Sequence, residues 1–129
     1  MRKIIIAGSA TFYKEAFDMK KELESKGYDV IDYPRHIDDS IEVEYKQAYE
    51  RFYDSLSKTD DLLLLNLDKK GIEGYIGYES FAELSNLVVK KIQVNNNHKI
   101  YIYKMPSKQV GCYDEIKHFI ELGYIELYK

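Results

Sequence analysis

Leu62, Leu63, Leu64 and Leu65 follow one another without a polar interruption, between Asp61 and Asn66. A continuous apolar run of this length is expected for a strand buried on both faces. The loop that follows, Asp68 to Gly77, is broken by Gly71, Gly74 and Gly77. From Tyr78 a helix begins, and its first residues include Glu79, Ser80 and Glu83. A buried strand, a glycine-punctuated loop and a helix start bearing carboxylates form an arrangement suited to a ligand. It does not by itself name a reaction.

The rest of the chain repeats this grammar. Lys3 to Gly8 is a second isoleucine-rich strand, and Gly8-Ser9-Ala10-Thr11 leads into a helix that Ser9 or Thr11 can cap. Phe12, Ala16, Met19 and Leu23 form one apolar stripe on that helix, and Gly27 ends it. Tyr28 to Tyr33 alternates, with Asp29 and Asp32 interposed, which predicts a less buried strand. After the loop Pro34 to Ser40, a second helix starts at Asp39 or Ser40, with Glu42 completing a capping-box-like pair. Ile41, Tyr45, Ala48, Phe52 and Leu56 make its stripe, and Phe81, Leu84 and Val88 make that of the third helix. Asn95-Asn96-Asn97 is a polar break before a strand over Lys99 to Tyr103. A loop from Met105 to Gly111 leads to a short helix from Tyr113 to Leu122 with Ile116, Phe119 and Ile120 inward, and Gly123 stops it. Tyr124 to Leu127 is the last strand.

Five strands alternating strictly with four helices imply a parallel sheet with right-handed crossovers. The expected fold class is α/β: a flavodoxin-like doubly wound sheet in the order 2-1-3-4-5 with helices on both faces, in one domain over residues 1–129. Ligands of such sheets bind outside the carboxyl ends of the strands, where the winding reverses, here between strands one and three. The loops Gly8 to Thr11 and Asp68 to Gly77 meet there, with Arg35 and His36 next door.

Composition narrows the function classes. With 45% hydrophobic residues, 129 residues can bury a sizeable core without disulfides or metal. The single cysteine, Cys112, cannot close an intramolecular bridge, which fits a reducing, cytoplasmic setting. No apolar run is long enough to span a membrane, and the opening apolar stretch is too short for a secretory signal. A net charge of −3 offers no broad basic field, so a nucleic-acid polymer is not an expected partner. Thirteen tyrosines and no tryptophan fit half-buried positions, an aromatic-lined pocket or a subunit interface.

Several motifs admit two readings. Gly8-Ser9 either offers backbone N–H groups to a phosphate or hydroxyl, or is a tight turn with a helix cap; it has neither dinucleotide-loop nor P-loop spacing. Arg35 and His36 either bind an anion or are solvated, and Lys69-Lys70 reads as a solvated loop corner. His98 and His118 lack metal-type spacing, so no metal is expected, and Cys112 has no visible activating partner. Ser80-x-x-Glu83 ahead of an apolar run is itself a capping-box pattern.

Asp61-Leu-Leu-Leu-Leu-Asn66, the loop ending Gly74-Tyr75-Ile76-Gly77 and Ser80-Phe81-Ala82-Glu83-Leu84, with Ile4 to Ser9 ahead of them, resemble the nucleoside 2-deoxyribosyltransferase family over nearly the whole chain. The resemblance implies transfer or hydrolysis of the N-glycosidic bond of deoxynucleosides or their monophosphates. It assigns the nucleophile to Glu83, with Ser80 as the preceding hydroxyl, and corresponds at Asp61 and Asn66. It implies pockets completed by a neighbouring subunit, hence a homodimer or higher homo-oligomer, and no cofactor. The chain departs from the family pattern at Gly77, where an aspartate is usual, and at Glu79. Breaking this bond builds positive charge on the sugar, which a carboxylate can stabilise or trap covalently. Asp61, Asn66, Asp68 and Glu79 are the other polar candidates; Ser9 suits a 5′-hydroxyl or phosphate, and Tyr13 and Tyr75 suit base stacking. Two alternatives stay open: a non-catalytic nucleotide-binding module on the same fold, and a flavodoxin-like electron carrier, which the absence of a hydroxyl-rich phosphate loop disfavours.

Overall fold

The computed structural model describes residues 1–36 and 42–128. The strands are β1 (Lys3–Ala7), β2 (Asp29–Asp32), β3 (Asp61–Leu64), β4 (Ile100–Ile102) and β5 (Glu126–Leu127). The helices are α1 (Tyr13–Ser25), α2 (Glu42–Leu56), α3 (Tyr78–Gln93) and α4 (Tyr113–Glu121), with a 3₁₀ turn at Ala10–Phe12 ahead of α1. The sheet is parallel throughout, in the order β2-β1-β3-β4-β5. The flavodoxin-like arrangement expected from the alternation is the one observed. The caps expected at Asp39 or Ser40, and Ile41 of the α2 stripe, lie outside the described residues.

β3 sits at the centre and every residue of it is buried, its three leucines and Asp61 alike. Its side chains alternate between two cores. Leu62 and Leu64 join Ile5, Ile100 and Ile102 beneath α2, α3 and α4, where Phe52, Leu84, Leu87 and Ile116 close over them. Leu63 and Leu65 join Ile4 and Ile6 beneath α1, which supplies Ala16, Met19 and Leu23. Three helices therefore cover one face and α1 the other.

β2 departs from simple alternation. Ile4 pairs with Val30 but the next residue, Ile5, pairs with Asp32, so Ile31 is an inserted residue. Such a bulge re-aims the side chain beyond it, and is rare in parallel pairs. Asp32 is carried onto the face of Ile5, beneath α2, where it is completely buried. β2 is less buried than β1, as expected, but through exposed Asp29 and half-buried Ile31; Asp32 does not contribute to it.

Polar staples hold the two ends of the sheet. At the amino end, Arg2 donates to both oxygens of buried Asp61 (2.9 and 2.6 Å), which also accepts from the Lys99 backbone N–H (2.9 Å). At the carboxyl end, Asn66 donates to the carbonyls of Lys104 (2.7 Å) and Gly74 (3.3 Å) and accepts from the N–H groups of Tyr103 and Lys104 (3.0 and 3.2 Å). It thus fastens the loop after β3 to the loop after β4. Gly74 has φ +62°, and a Cβ there would stand 2.8 Å from the Pro106 Cα, so no other residue fits this junction. Among the described residues no helix is long and apolar enough to cross a membrane.

Candidate functional site

α3 begins earlier than the capping-box pattern suggests. Its N-cap is Gly77, in an extended conformation (φ −78°, ψ 165°) and without a side-chain capping bond, and the Phe81 N–H already donates to the Gly77 carbonyl (3.0 Å). Ser80 and Glu83 therefore lie inside the helix, not at its cap, which removes the capping explanation of Glu83. Ser80, Glu83, Leu84 and Leu87 recur at i, i+3, i+4 and i+7 and form the buried stripe. Glu83 is consequently turned inward and left only 9% exposed.

It ends in a cleft of about 120 Å³ at the carboxyl end of the sheet. Gly8 and Ala10 after β1 form one wall, Tyr33, Pro34 and Arg35 after β2 a second, Tyr45, Tyr49, Arg51 and Phe52 of α2 a third, and Glu79 with Glu83 the α3 side. Among the described residues no donor bonds to the Glu83 carboxyl group. Burial first, then repulsion from Glu79 and Asp32, pushes Glu83 up to about 8. Its carboxyl group thus holds its proton at neutral pH.

The neighbouring acids are differently placed. Asp32 accepts from the Tyr33 N–H (2.8 Å), the Ser55 hydroxyl (2.9 Å) and Arg51 Nε (3.3 Å), and Arg35 approaches to 3.9 Å. Its charge is therefore compensated where that of an ionised Glu83 would not be. Glu79 accepts a hydrogen bond from Tyr45 Oη, and that bond is the main cause holding the Tyr45 phenol up at about 12. Tyr45, Tyr49 and Tyr53 follow each other along α2 with adjacent ring centroids 6.4 and 5.0 Å apart, an aromatic wall beside the acids.

At the rim, Ser9 lies between Gly8 and Ala10 of the cleft wall. Its Oγ accepts from Lys69 Nζ (3.1 Å) and from the Thr11 N–H (3.2 Å), which caps the 3₁₀ turn, while α1 itself, with Phe12 as its N-cap, has no side-chain cap. Lys69 also passes over the Tyr75 ring, 5.1 Å from its centroid. Lys69 is therefore no solvated corner, although Lys70 is exposed.

Of the residues expected at a site, Glu83 and Gly8 line the cleft, Ser9 stands at its rim, and Tyr75, Gly77 and Ser80 lie on the loop and helix that carry Glu83. Three are not brought to it. Asp61 is at the opposite end of β3, roughly 10 Å of strand away, and serves the Arg2 staple. Asn66 spends all its amide bonds on the loop junction. Tyr13 faces His36 at 5.2 Å and lines a second hollow of about 590 Å³ beside α1, which meets the cleft at Tyr33, Pro34 and Arg35. Asp68 is likewise structural, accepting from Lys104 Nζ and the Gly74 N–H at 2.9 Å each. Arg35, near Asp32, lies with its guanidinium 4.7 Å from the Tyr33 ring centroid. Burial pushes the Cys112 thiol up to about 11, which keeps it unreactive. Asp32, Arg51, Tyr45 and Tyr49 are site residues that the sequence did not reveal. Asp32 alone had a signal there, an acid interrupting a strand. No family model, curated protein or solved structure matches this chain.

Proposed function

We propose that the cleft receives a deoxynucleoside, a nucleoside or a 5′-monophosphate of either, and that Glu83 acts on its N-glycosidic bond by transfer or hydrolysis. The observation that carries this reading is Glu83 itself: an inward carboxyl group in a cleft where the winding of the sheet reverses, free of any capping duty. Burying a carboxyl group is costly, and nothing in the packing of α3 requires one there. The resemblance of Ser80 to Leu84 and of the preceding loop to the deoxyribosyltransferase pattern gives the reaction class.

In this mechanism Glu83 first loses its proton. Positive charge developing on the sugar favours the ionised form and offsets the repulsion from Asp32 and Glu79. One carboxylate oxygen then bonds to the anomeric carbon as the carbon–nitrogen bond breaks, and the base leaves with the electron pair and takes up a proton. Water, or a second base, attacks the anomeric carbon and releases Glu83. The Tyr45 and Tyr49 rings at the cleft suit the flat faces of a base.

A second reading has its own support. Gly77 brings no carboxylate to the helix start, and a protonated Glu83 is a hydrogen-bond donor, which suits a nucleotide-binding module without turnover. Cytoplasmic location and a homo-oligomeric state belong to the proposal in either form. Incubating the protein with deoxynucleosides, ribonucleosides and their 5′-monophosphates, with and without a free acceptor base, separates the two by chromatography. Base release or exchange supports the enzyme; binding without release supports the module.

A further inference from the structure

Gly8 brings two loops into contact. Its φ is +154° and a Cβ there would stand 3.1 Å from the Leu65 carbonyl oxygen, while the Leu65 N–H donates to the Ala7 carbonyl at 2.8 Å. This close approach sets the loop after β1 against the loop after β3, and Lys69 reaches the Ser9 hydroxyl across the seam at 3.1 Å. Lys69 is half-buried, yet among the described residues no carboxylate pairs with it. The acid beside it, Asp68, is taken by Lys104. One of the three ammonium N–H groups is used on Ser9, which leaves two to donate.

We infer that Lys69 and Ser9 form a subsite for a phosphate monoester, so that the ligand of the cleft is a nucleoside 5′-phosphate in preference to a nucleoside. This rests on the reading of the cleft as a nucleoside site. The two arginines of the cleft wall, Arg35 and Arg51, are both turned to Asp32, whereas the rim offers an ammonium with no carboxylate partner among the described residues and a hydroxyl. At about 120 Å³ the cleft has room for one ring system, well below the usual volume of small-molecule pockets, so the rest of a nucleotide lies across the rim. Ser9, flanked by the wall residues Gly8 and Ala10, is where that rim meets Lys69.

Calorimetric titration of the full chain with deoxyadenosine, deoxycytidine and their 5′-monophosphates tests the subsite, using the wild type, Lys69→Met and Lys69→Arg. The wild type should bind each monophosphate at least tenfold more tightly than its nucleoside, with a preference that shrinks as salt is raised. Lys69→Met should cut that preference at least tenfold, and Lys69→Arg should keep most of it. Inorganic phosphate should compete with the monophosphates and not with the nucleosides. Equal affinities in the wild type overturn the inference even if Lys69→Met does not fold, and so does a preference that survives Lys69→Met. Phosphate preference without base release refutes the catalytic reading and leaves the subsite standing; base release without phosphate preference does the reverse. A wild type that binds neither class of ligand overturns both.

Discussion

Glu83 holds its proton in the folded chain up to about pH 8, because burial and two neighbouring carboxylates disfavour its charge. Unfolded, it titrates in the ordinary glutamate range, near 4.3. Between those values the folded chain binds more protons than the unfolded one, so stability is full below the lower value and falls as pH rises towards the upper. By linkage the loss amounts to at most about 5 kcal/mol, less to the extent that solvent in the cleft screens the charge. Glu83→Gln removes this dependence. Denaturant unfolding should find the variant close to wild type at pH 4.5 and more stable at pH 9, by about 2–4 kcal/mol. Parallel stability profiles for the two proteins would mean that Glu83 is not held protonated. The inward position of Glu83 was not legible in its own motif. Ser80-x-x-Glu83 matches a capping box, and only the location of the N-cap, one turn earlier at Gly77, tells the two apart.

The start of α3 and the end of β2 build the site between them, and they were unequally legible. Runs such as Leu62 to Leu65, buried on both faces, announce a central strand, and the α1 stripe ending at Gly27 announces a helix. A one-residue bulge leaves no mark in composition, so Asp32 read as a solvent-side residue of an alternating strand. Asp61 entered as a site candidate through the family resemblance alone; as the residue that opens β3 it lies at the end of the strand away from the ligand. Gly77 makes a testable point about α3. Its φ of −78° suits any residue, and an added Cβ meets only the Tyr75 side chain, at ordinary contact distances from 3.6 Å. Gly77→Asp should keep the fold and gain a few tenths of a kcal/mol, since aspartate caps slightly better than glycine. It also supplies the carboxylate that the deoxyribosyltransferase pattern carries at this place. Base release by Gly77→Asp should exceed that of the wild type by about tenfold or more, in the range of a general acid or base. An unchanged rate in a folded variant would show that this carboxylate is not what limits turnover.

Across the whole molecule the two faces of the sheet are unequal: α2, α3 and α4 cover one and α1 covers the other. On the α1 side, half-buried Tyr101 meets Tyr128 edge-on at 6.1 Å, and Tyr103 at the end of β4 is 39% exposed. Tyrosine-rich surface of this kind suits a subunit interface. Light scattering at micromolar concentration should give the mass of a dimer or higher symmetric oligomer, and a monomer mass would contradict it. Strand order was the most legible property at this scale, because strict alternation of short strands and helices leaves few right-handed arrangements. The reaction is not a property of the fold, and one measurement bears on it most directly. Base release from the nucleoside and monophosphate panel is followed for the wild type and for Glu83→Gln, with the melting temperature of both. The wild type should release base. Glu83→Gln should melt at or above the wild-type temperature at pH 7 and be slower by at least about a hundredfold, roughly 2.7 kcal/mol of barrier. Release by Glu83→Gln at the wild-type rate, or no release by the wild type from any member of the panel, would contradict the assignment of this cleft to N-glycosidic chemistry through Glu83.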